Sequence, residues 1–268
     1  MNASRDKIFK VLILTDSRGK SLQDSFIERA GSSSQNIVTK VIVKPGCTFE
    51  QCVEKAVSWG HDPTYQYDAI VIQAGICDFT ERERQGRIKF LKYVRQNQTE
   101  RLEEALRKLK ESLGRKALVA TIIPASLKKY LEFHNQDIQI RDDIIETAAS
   151  QQADLIKDIQ FVNNQIIEFN KSQGNRTIDL HDRVFSSTLK KRKNKGKIKR
   201  SIIFKDSQLN DGVHPNEELN SLLHKRTWDV IEHTANEKNS AEQDLVSSQE
   251  SSQSDLETWD FKRPRLCL

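Results

Sequence analysis

Ser17, Asp211 and His214 are the residues of this chain whose types and spacing suit nucleophilic chemistry. Ser17 follows a short apolar run, Phe9 to Leu14, and precedes a helical pattern. Its hydroxyl therefore stands at a strand-to-helix junction, beside N–H groups that a helix start leaves unpaired. Asp211 and His214 lie three residues apart in the turn Asn210-Asp211-Gly212-Val213-His214-Pro215. That spacing lets a carboxylate hold one imidazole nitrogen while the other faces outward. A serine activated by such an imidazole attacks acyl carbonyl carbons. Each residue also has an ordinary use: a serine after a strand is commonly a helix N-cap, and an Asp-x-x-His is commonly a surface turn. Gly46 and Gly75 serve equally well as plain turn glycines.

The elements that must position these groups are legible as two alternating periods. Five short apolar runs, Phe9 to Leu14, Ile37 to Val43, Ala69 to Ala74, Ala117 to Ile123 and Thr177 to Leu180, have the character of strands buried on both faces. Helical stripes lie between them: Leu22, Phe26 and Ala30; Phe49, Val53 and Val57; Leu102, Ala105, Leu106 and Leu109. A long helix is expected over Gln152 to Lys171, closing at Gly174, and a last one after Pro215 and Asn216, with Glu217 and Glu218 in its first turn. Strands separated by helices predict an α/β fold with a five-stranded parallel sheet covered on both faces. Ligands bind such sheets at the carboxyl ends of the strands. There the chain places Thr15-Asp16-Ser17-Arg18-Gly19, Lys44-Pro45-Gly46-Cys47 and Gly75-Ile76-Cys77-Asp78.

Taken in order, these segments resemble the SGNH (GDSL-type) hydrolases. The family's Gly-Asp-Ser block corresponds to Thr15-Asp16-Ser17, with the glycine replaced. Its second-block glycine corresponds to Gly46, its Gly-x-Asn-Asp block to Gly75-Ile76-Cys77-Asp78, and its Asp-x-x-His block to Asp211 and His214 before Pro215. The resemblance implies a flavodoxin-like three-layer α/β/α sandwich and a serine hydrolase acting on an acyl ester or O-acetyl group. Ser17 would be the nucleophile, His214 the base and Asp211 its orienting carboxylate. The N–H groups of Ser17 and Gly46 would hold the oxyanion, while Arg18, Gly75 and Asp78 would line the substrate site. The family's third oxyanion donor is an asparagine side chain, and this chain has Cys77 there, a weak donor. Losing one donor costs about 10²–10³ in rate. Either a slower esterase persists, or the fold has become a binding module.

Composition bounds the alternatives. The 268 residues carry 43 Lys and Arg against 38 Asp and Glu, a net charge of +5, with 30% charged and 36% hydrophobic residues. No apolar run is long enough to span a membrane. Cys47, Cys52, Cys77 and Cys267 show no CxxC pairing, and without an export signal reduced thiols and an intracellular location, cytoplasmic or nuclear, are expected. No GxGxxG or Walker sequence supports a nucleotide cofactor, and the six histidines show no metal-ligand spacing, so neither cofactor nor metal is expected. His181 is the rival to His214, and Asp16 is too isolated to make a phosphoacceptor site.

The charge is regional. Eight of the eleven residues 190–200 are Lys or Arg, among them Lys190, Lys191, Arg192 and Lys193. Such a run is a solvated insertion loop, a nucleic-acid patch or an attractor for an anionic substrate. Without interleaved aromatics, base stacking is not indicated. Residues 240–260 carry six acidic and no basic side chains. The expected organisation is an extension over residues 1–6, one domain over 7–234 and a disordered tail over 235–268.

Overall fold

The computed structural model describes residues 8–29, 36–95, 97–191 and 198–254. In chain order its elements begin with β1 (Phe9–Thr15), α1 (Lys20–Arg29), β2 (Ile37–Val43), α2 (Phe49–His61), β3 (Ala69–Gln73), α3 (Ile76–Phe79), β4 (Thr80–Gln85) and β5 (Ile88–Tyr93). They continue with α4 (Gln98–Leu113), β6 (Ala117–Val119), α5 (Leu127–His134), α6 (Asp142–Ser172), α7 (His181–Val184), β7 (Phe185–Lys191), β8 (Ile198–Phe204) and α8 (Glu217–Ser254).

Successive side chains of a strand point to opposite faces, so a run that is apolar at every position must be covered twice. The four parallel strands, in the order β2-β1-β3-β6, meet that demand with two cores. Leu12, Leu14, Ile70 and Ile72 pack with Phe49, Leu109, Ile159 and Ile166, under α2, α4 and α6. Val11, Ile13, Val71 and Leu118 pack with Leu22, Phe26, Leu223 and Ile231, under α1 and α8. The register sets Leu12 beside Ile70 and Ile13 beside Val71. Leu12 is fully buried, and Leu12→Ala would cost about 2–5 kcal/mol.

Among the described residues the parallel sheet has four strands, and the expected fifth is reduced to a single parallel bridge. Thr177 to Leu180 makes only one bridge, Ile178 to Ala120, and β6 stops at Val119. Asparagine carboxamides from α6 and the turn after it satisfy the β6 edge instead. Asn170 accepts from the Val119 N–H (3.0 Å) and donates to its carbonyl (2.7 Å), and Asn175 donates to the Ala117 carbonyl (3.0 Å). Just past the strand, Asn163 pairs in the same way with both backbone groups of Ile122. A buried carboxamide offers the donor and acceptor that a neighbouring strand would have supplied.

Three further expectations shift. Helix α6 starts at Asp142, ten residues before Gln152, and ends at Ser172, with Gly174 just past its cap at φ +73°. Helix α8 runs on past Thr234 because Ala235 and Lys238 continue the stripe begun by Ile231: Ala235 is buried and the Lys238 ammonium pairs with Asp68. The composition-based domain end at 234 thus falls inside a helix, while residues 1–6, Ala30 and 255–268 lie outside the described residues. The segments 81–98 and 128–142 carry elements of their own. The first contains the β4–β5 hairpin, closed by Gly86-Arg87 with Gly86 at φ +62°, and the second contains most of α5. Of the basic run, Lys190 and Lys191 end β7 and Lys199 and Arg200 lie in β8, which pairs with it antiparallel, Lys190 opposite Lys199 in register. The side chains of Lys190 and Lys191, and all of Arg192 and Lys193, lie outside the described residues. Among the described residues no helix is long and apolar enough to cross a membrane.

Candidate active site

The carboxyl end of β1 delivers Ser17. Asp16, in extended conformation, caps the single 3₁₀ turn Ser17–Gly19 by accepting the Arg18 N–H at 2.8 Å. The capping role thus falls to Asp16, and the Ser17 hydroxyl remains available. Thr15 stands where the resemblance calls for glycine. Its hydroxyl donates to the Gln73 carbonyl at 3.0 Å, joining the ends of β1 and β3. A Cβ on Gly19 would lie 2.1 Å from that hydroxyl oxygen, so the side chain present at 15 is matched by the one missing at 19.

The other end of the domain returns to meet it. Asp211 Oδ1 accepts the backbone N–H groups of Val213 (2.9 Å) and His214 (2.7 Å), an Asx-type turn that fixes its carboxylate. The second oxygen, Oδ2, lies 2.7 Å from His214 Nδ1, and His214 Nε2 lies 3.1 Å from Ser17 Oγ. Burial alone pushes the Asp211 carboxyl up, but the hydrogen bonds from the His214 ring and from the two N–H groups hold it well below the usual carboxylate range. It stays ionised while the imidazole accepts a proton. The His214 side chain is 35% exposed, enough for a substrate to reach it.

This loop is seated on α5. The Ser126 N–H donates to the Gly212 carbonyl at 2.7 Å, and Ser126 also caps α5. Gly212 has φ +86°, and a Cβ there would meet the Tyr130 nitrogen at 2.4 Å and the Ser126 oxygen at 2.6 Å. Only glycine permits that approach. Nothing in the sequence pattern pointed to Ser126 or to this contact; an Asp-Gly step beside the histidine was the signal present.

Lys44, Pro45, Gly46 and Cys47 form a turn closed from the Cys47 N–H to the Lys44 carbonyl (3.2 Å), with proline second and Gly46 third at φ +75°. That order is the type II pattern. The Gly46 N–H is not used in the closure, and the turn is held to the end of β1 by the Lys44 N–H on the Thr15 carbonyl (2.9 Å). Next to it the Cys47 and Cys52 sulfurs lie 3.3 Å apart, both buried.

The remaining expected residues are not all where a substrate would touch them. Asp78 is buried and accepts the Phe49 N–H at 2.7 Å, fastening the segment after β3 to the start of α2; burial pushes its carboxyl up to about 6. Gly75 has φ +135°, and a Cβ there would meet Ile122 Cδ1 at 2.5 Å, so it allows α3 to begin against the loop after β6. Arg18 turns beneath the site. Its guanidinium donates to the Ile123 carbonyl and lines a cavity of about 20 Å³ with Asp16, Gln73 and Thr121. Cys77 is half-buried, and burial pushes its thiol up to about 11, which leaves a thiol and not a thiolate at neutral pH. Asp16 is likewise buried, and burial raises its carboxyl above the ordinary value. The side chain of His181 lies outside the described residues.

No protein-family model matches the chain, and no curated protein does. Solved esterases are similar to it in structure. The psychrotrophic esterase EstA from Pseudoalteromonas sp. is 15% identical at a TM-score of 0.43, covering 85% of this chain and 98% of that one. The acetyl xylan esterase AlAXEase is 14% identical at 0.46, covering 82% and 98%. AlinE4, an SGNH-hydrolase family esterase, is 13% identical at 0.39, covering 88% and 97%. The chemistry is read from Ser17, His214 and Asp211 themselves.

Proposed function

We propose that this chain is a serine hydrolase of the SGNH type that cleaves a small ester, an acyl ester or an O-acetyl group. The observation that carries this reading is His214 joining Ser17 and Asp211 through its two ring nitrogens, at 3.1 and 2.7 Å. In the first half-reaction His214 Nε2 takes the Ser17 proton as Oγ attacks the ester carbonyl carbon. The negative charge formed on the carbonyl oxygen is received by the backbone N–H groups of Ser17 and Gly46. Collapse of the tetrahedral intermediate breaks the bond to the alcohol, which leaves with the proton from His214. Water then repeats the sequence on the acyl-serine, releasing the acid and restoring the Ser17 hydroxyl. Asp211 keeps the imidazole in the tautomer that presents a bare Nε2 and stabilises the imidazolium.

Cys77 contributes little to the oxyanion site, since a thiol is a weak donor. The enzyme therefore works with two backbone donors, at a rate about 10²–10³ below that of a site with three. Hydrolysis of 4-nitrophenyl acetate or butyrate by the wild type and by Ser17→Ala tests the reading. Turnover that is lost in Ser17→Ala supports it, and equal slow hydrolysis by both proteins rejects it.

A further inference from the structure

The β4–β5 hairpin departs directly from the short helix α3 that carries Cys77 and Asp78. Its residues Thr80–Tyr93 include five basic side chains, Arg82, Arg84, Arg87, Lys89 and Lys92, against two acidic ones, Glu81 and Glu83. The strand register assigns each to a face. Arg82 lies opposite Leu91, Arg84 opposite Lys89 and Thr80 opposite Tyr93, so all six share one face. Leu91 and Tyr93 are buried, which turns this face toward the domain. Glu83 lies on the other face, paired with Lys92. Like charges directly opposite in a hairpin are destabilising, yet Arg84 and Lys89 are placed so. Among the described residues no ion pair involves Arg82, Arg84 or Lys89.

Two sets of contacts connect this face to the catalytic loop. The Asn135 side chain accepts the Lys89 N–H (2.8 Å) and donates to its carbonyl (2.7 Å), fixing the hairpin to the end of α5. The start of α5 holds Gly212 through Ser126 and the Tyr130 backbone. Helix α5 has eight residues, about 12 Å at 1.5 Å each. His134 sits between the two anchors, its ring 4.2 Å from that of Tyr130, centroid to centroid. Burial lowers its pKa; Asp211 opposes the fall, and Lys89, Arg82 and His214 add to it.

We propose that Arg82, Lys89 and His134 form an anion-binding subsite beside the Ser17–His214 pair, so that the preferred ester carries a second oxyanion group, a carboxylate or a phosphate. This rests on the hydrolase reading for turnover but not for binding. Exposed guanidinium and ammonium groups recognise either anion through charge-assisted hydrogen bonds, and His134 adjoins Asn135, the residue that holds the Lys89 backbone.

Two substrate pairs test the subsite: 4-nitrophenyl butyrate against 4-nitrophenyl hemisuccinate, and glycerol acetate against its phosphomonoester. The account expects one anionic member to be favoured at least about tenfold in kcat/KM, and shows by which pair responds whether carboxylate or phosphate is read. In R82Q/K89Q that preference falls about tenfold or more, whereas K108Q/K110Q on α4, an equal change of exposed charge elsewhere, preserves it. No preference in either pair, or a preference surviving in R82Q/K89Q, overturns the subsite. Calorimetric binding of the same esters to Ser17→Ala separates the two claims. Tighter binding of an anionic ester with no wild-type turnover keeps the subsite and rejects the hydrolase, while turnover with equal binding rejects the subsite alone.

Discussion

His214 Nε2 stands 3.1 Å from Ser17 Oγ although 197 positions separate the two residues. The parallel sheet explains the meeting: β1 and β6 deliver their carboxyl ends to the same edge, and the loop before α8 is seated on α5, which follows β6. The imidazole is held from behind by a carboxylate that is itself fixed by two backbone N–H groups. The pair is therefore already arranged in the free protein, which lowers the entropic cost of bringing base and nucleophile together.

Replacing Asp211 by Asn should leave the loop in place, because Asn Oδ1 can still accept the N–H groups of Val213 and His214. Its amide would then donate toward His214 Nδ1 and favour the wrong tautomer. The expected outcome is a fall in kcat of about 10⁴ with little change in melting temperature. Steady-state kinetics beside thermal unfolding check it; a fall below tenfold would contradict the role given to Asp211.

Gly212→Ala places a methyl group against the Tyr130 nitrogen and the Ser126 oxygen, at a position with φ +86°. The loop must lift from α5, taking Asp211 and His214 with it. A displacement near 1 Å costs about 10²-fold in rate, so kcat should fall by that order while KM for a small neutral ester changes less. Full activity in this variant would show that α5 does not position the loop.

Cys77→Asn restores a carboxamide donor beside the oxyanion site. If the two backbone donors are the present complement, kcat should rise, by up to about 10². An unchanged or lower kcat in a folded protein would place position 77 outside the oxyanion site.

Asp78 offers a pH test of stability. Burial pushes its carboxyl up to about 6, so the folded state binds this proton more tightly than the unfolded chain. The associated stability is fully present below about pH 4 and is lost as pH rises through about 6. Asp78→Asn can still accept the Phe49 N–H and carries no charge. Its melting temperature relative to wild type should therefore be higher at pH 7.5 than at pH 4.5, by an equivalent of about 1–3 kcal/mol. A difference independent of pH would contradict the assignment.

The strands that carry the site were legible because a doubly covered strand is apolar at every position: Ile37 to Val43 matches β2 residue for residue, and the first and third runs differ from β1 and β3 by one residue at the carboxyl end. Ser17, Asp211 and His214 were legible because their chemistry depends on residue type and local spacing. The reduced fifth strand was not, because Asn170 and Asn175 complete the β6 edge from positions that sequence periodicity reads as helix or turn. Asp78 and Arg18 flank the expected substrate segments, yet their side chains turn inward to Phe49 and Ile123. Direction of a side chain near a turn depends on tertiary partners, which spacing alone does not encode.

The nucleophile proposed, Ser17, can be tested by covalent capture. A fluorophosphonate ester reacts with a serine only when a neighbouring base activates it. Intact mass and peptide mapping after treatment of the full chain should show one adduct, on Ser17, with labelling abolished in Ser17→Ala and reduced at least about 10³-fold in rate in His214→Ala. No adduct on Ser17, or labelling that persists at the same rate in His214→Ala, would contradict the account.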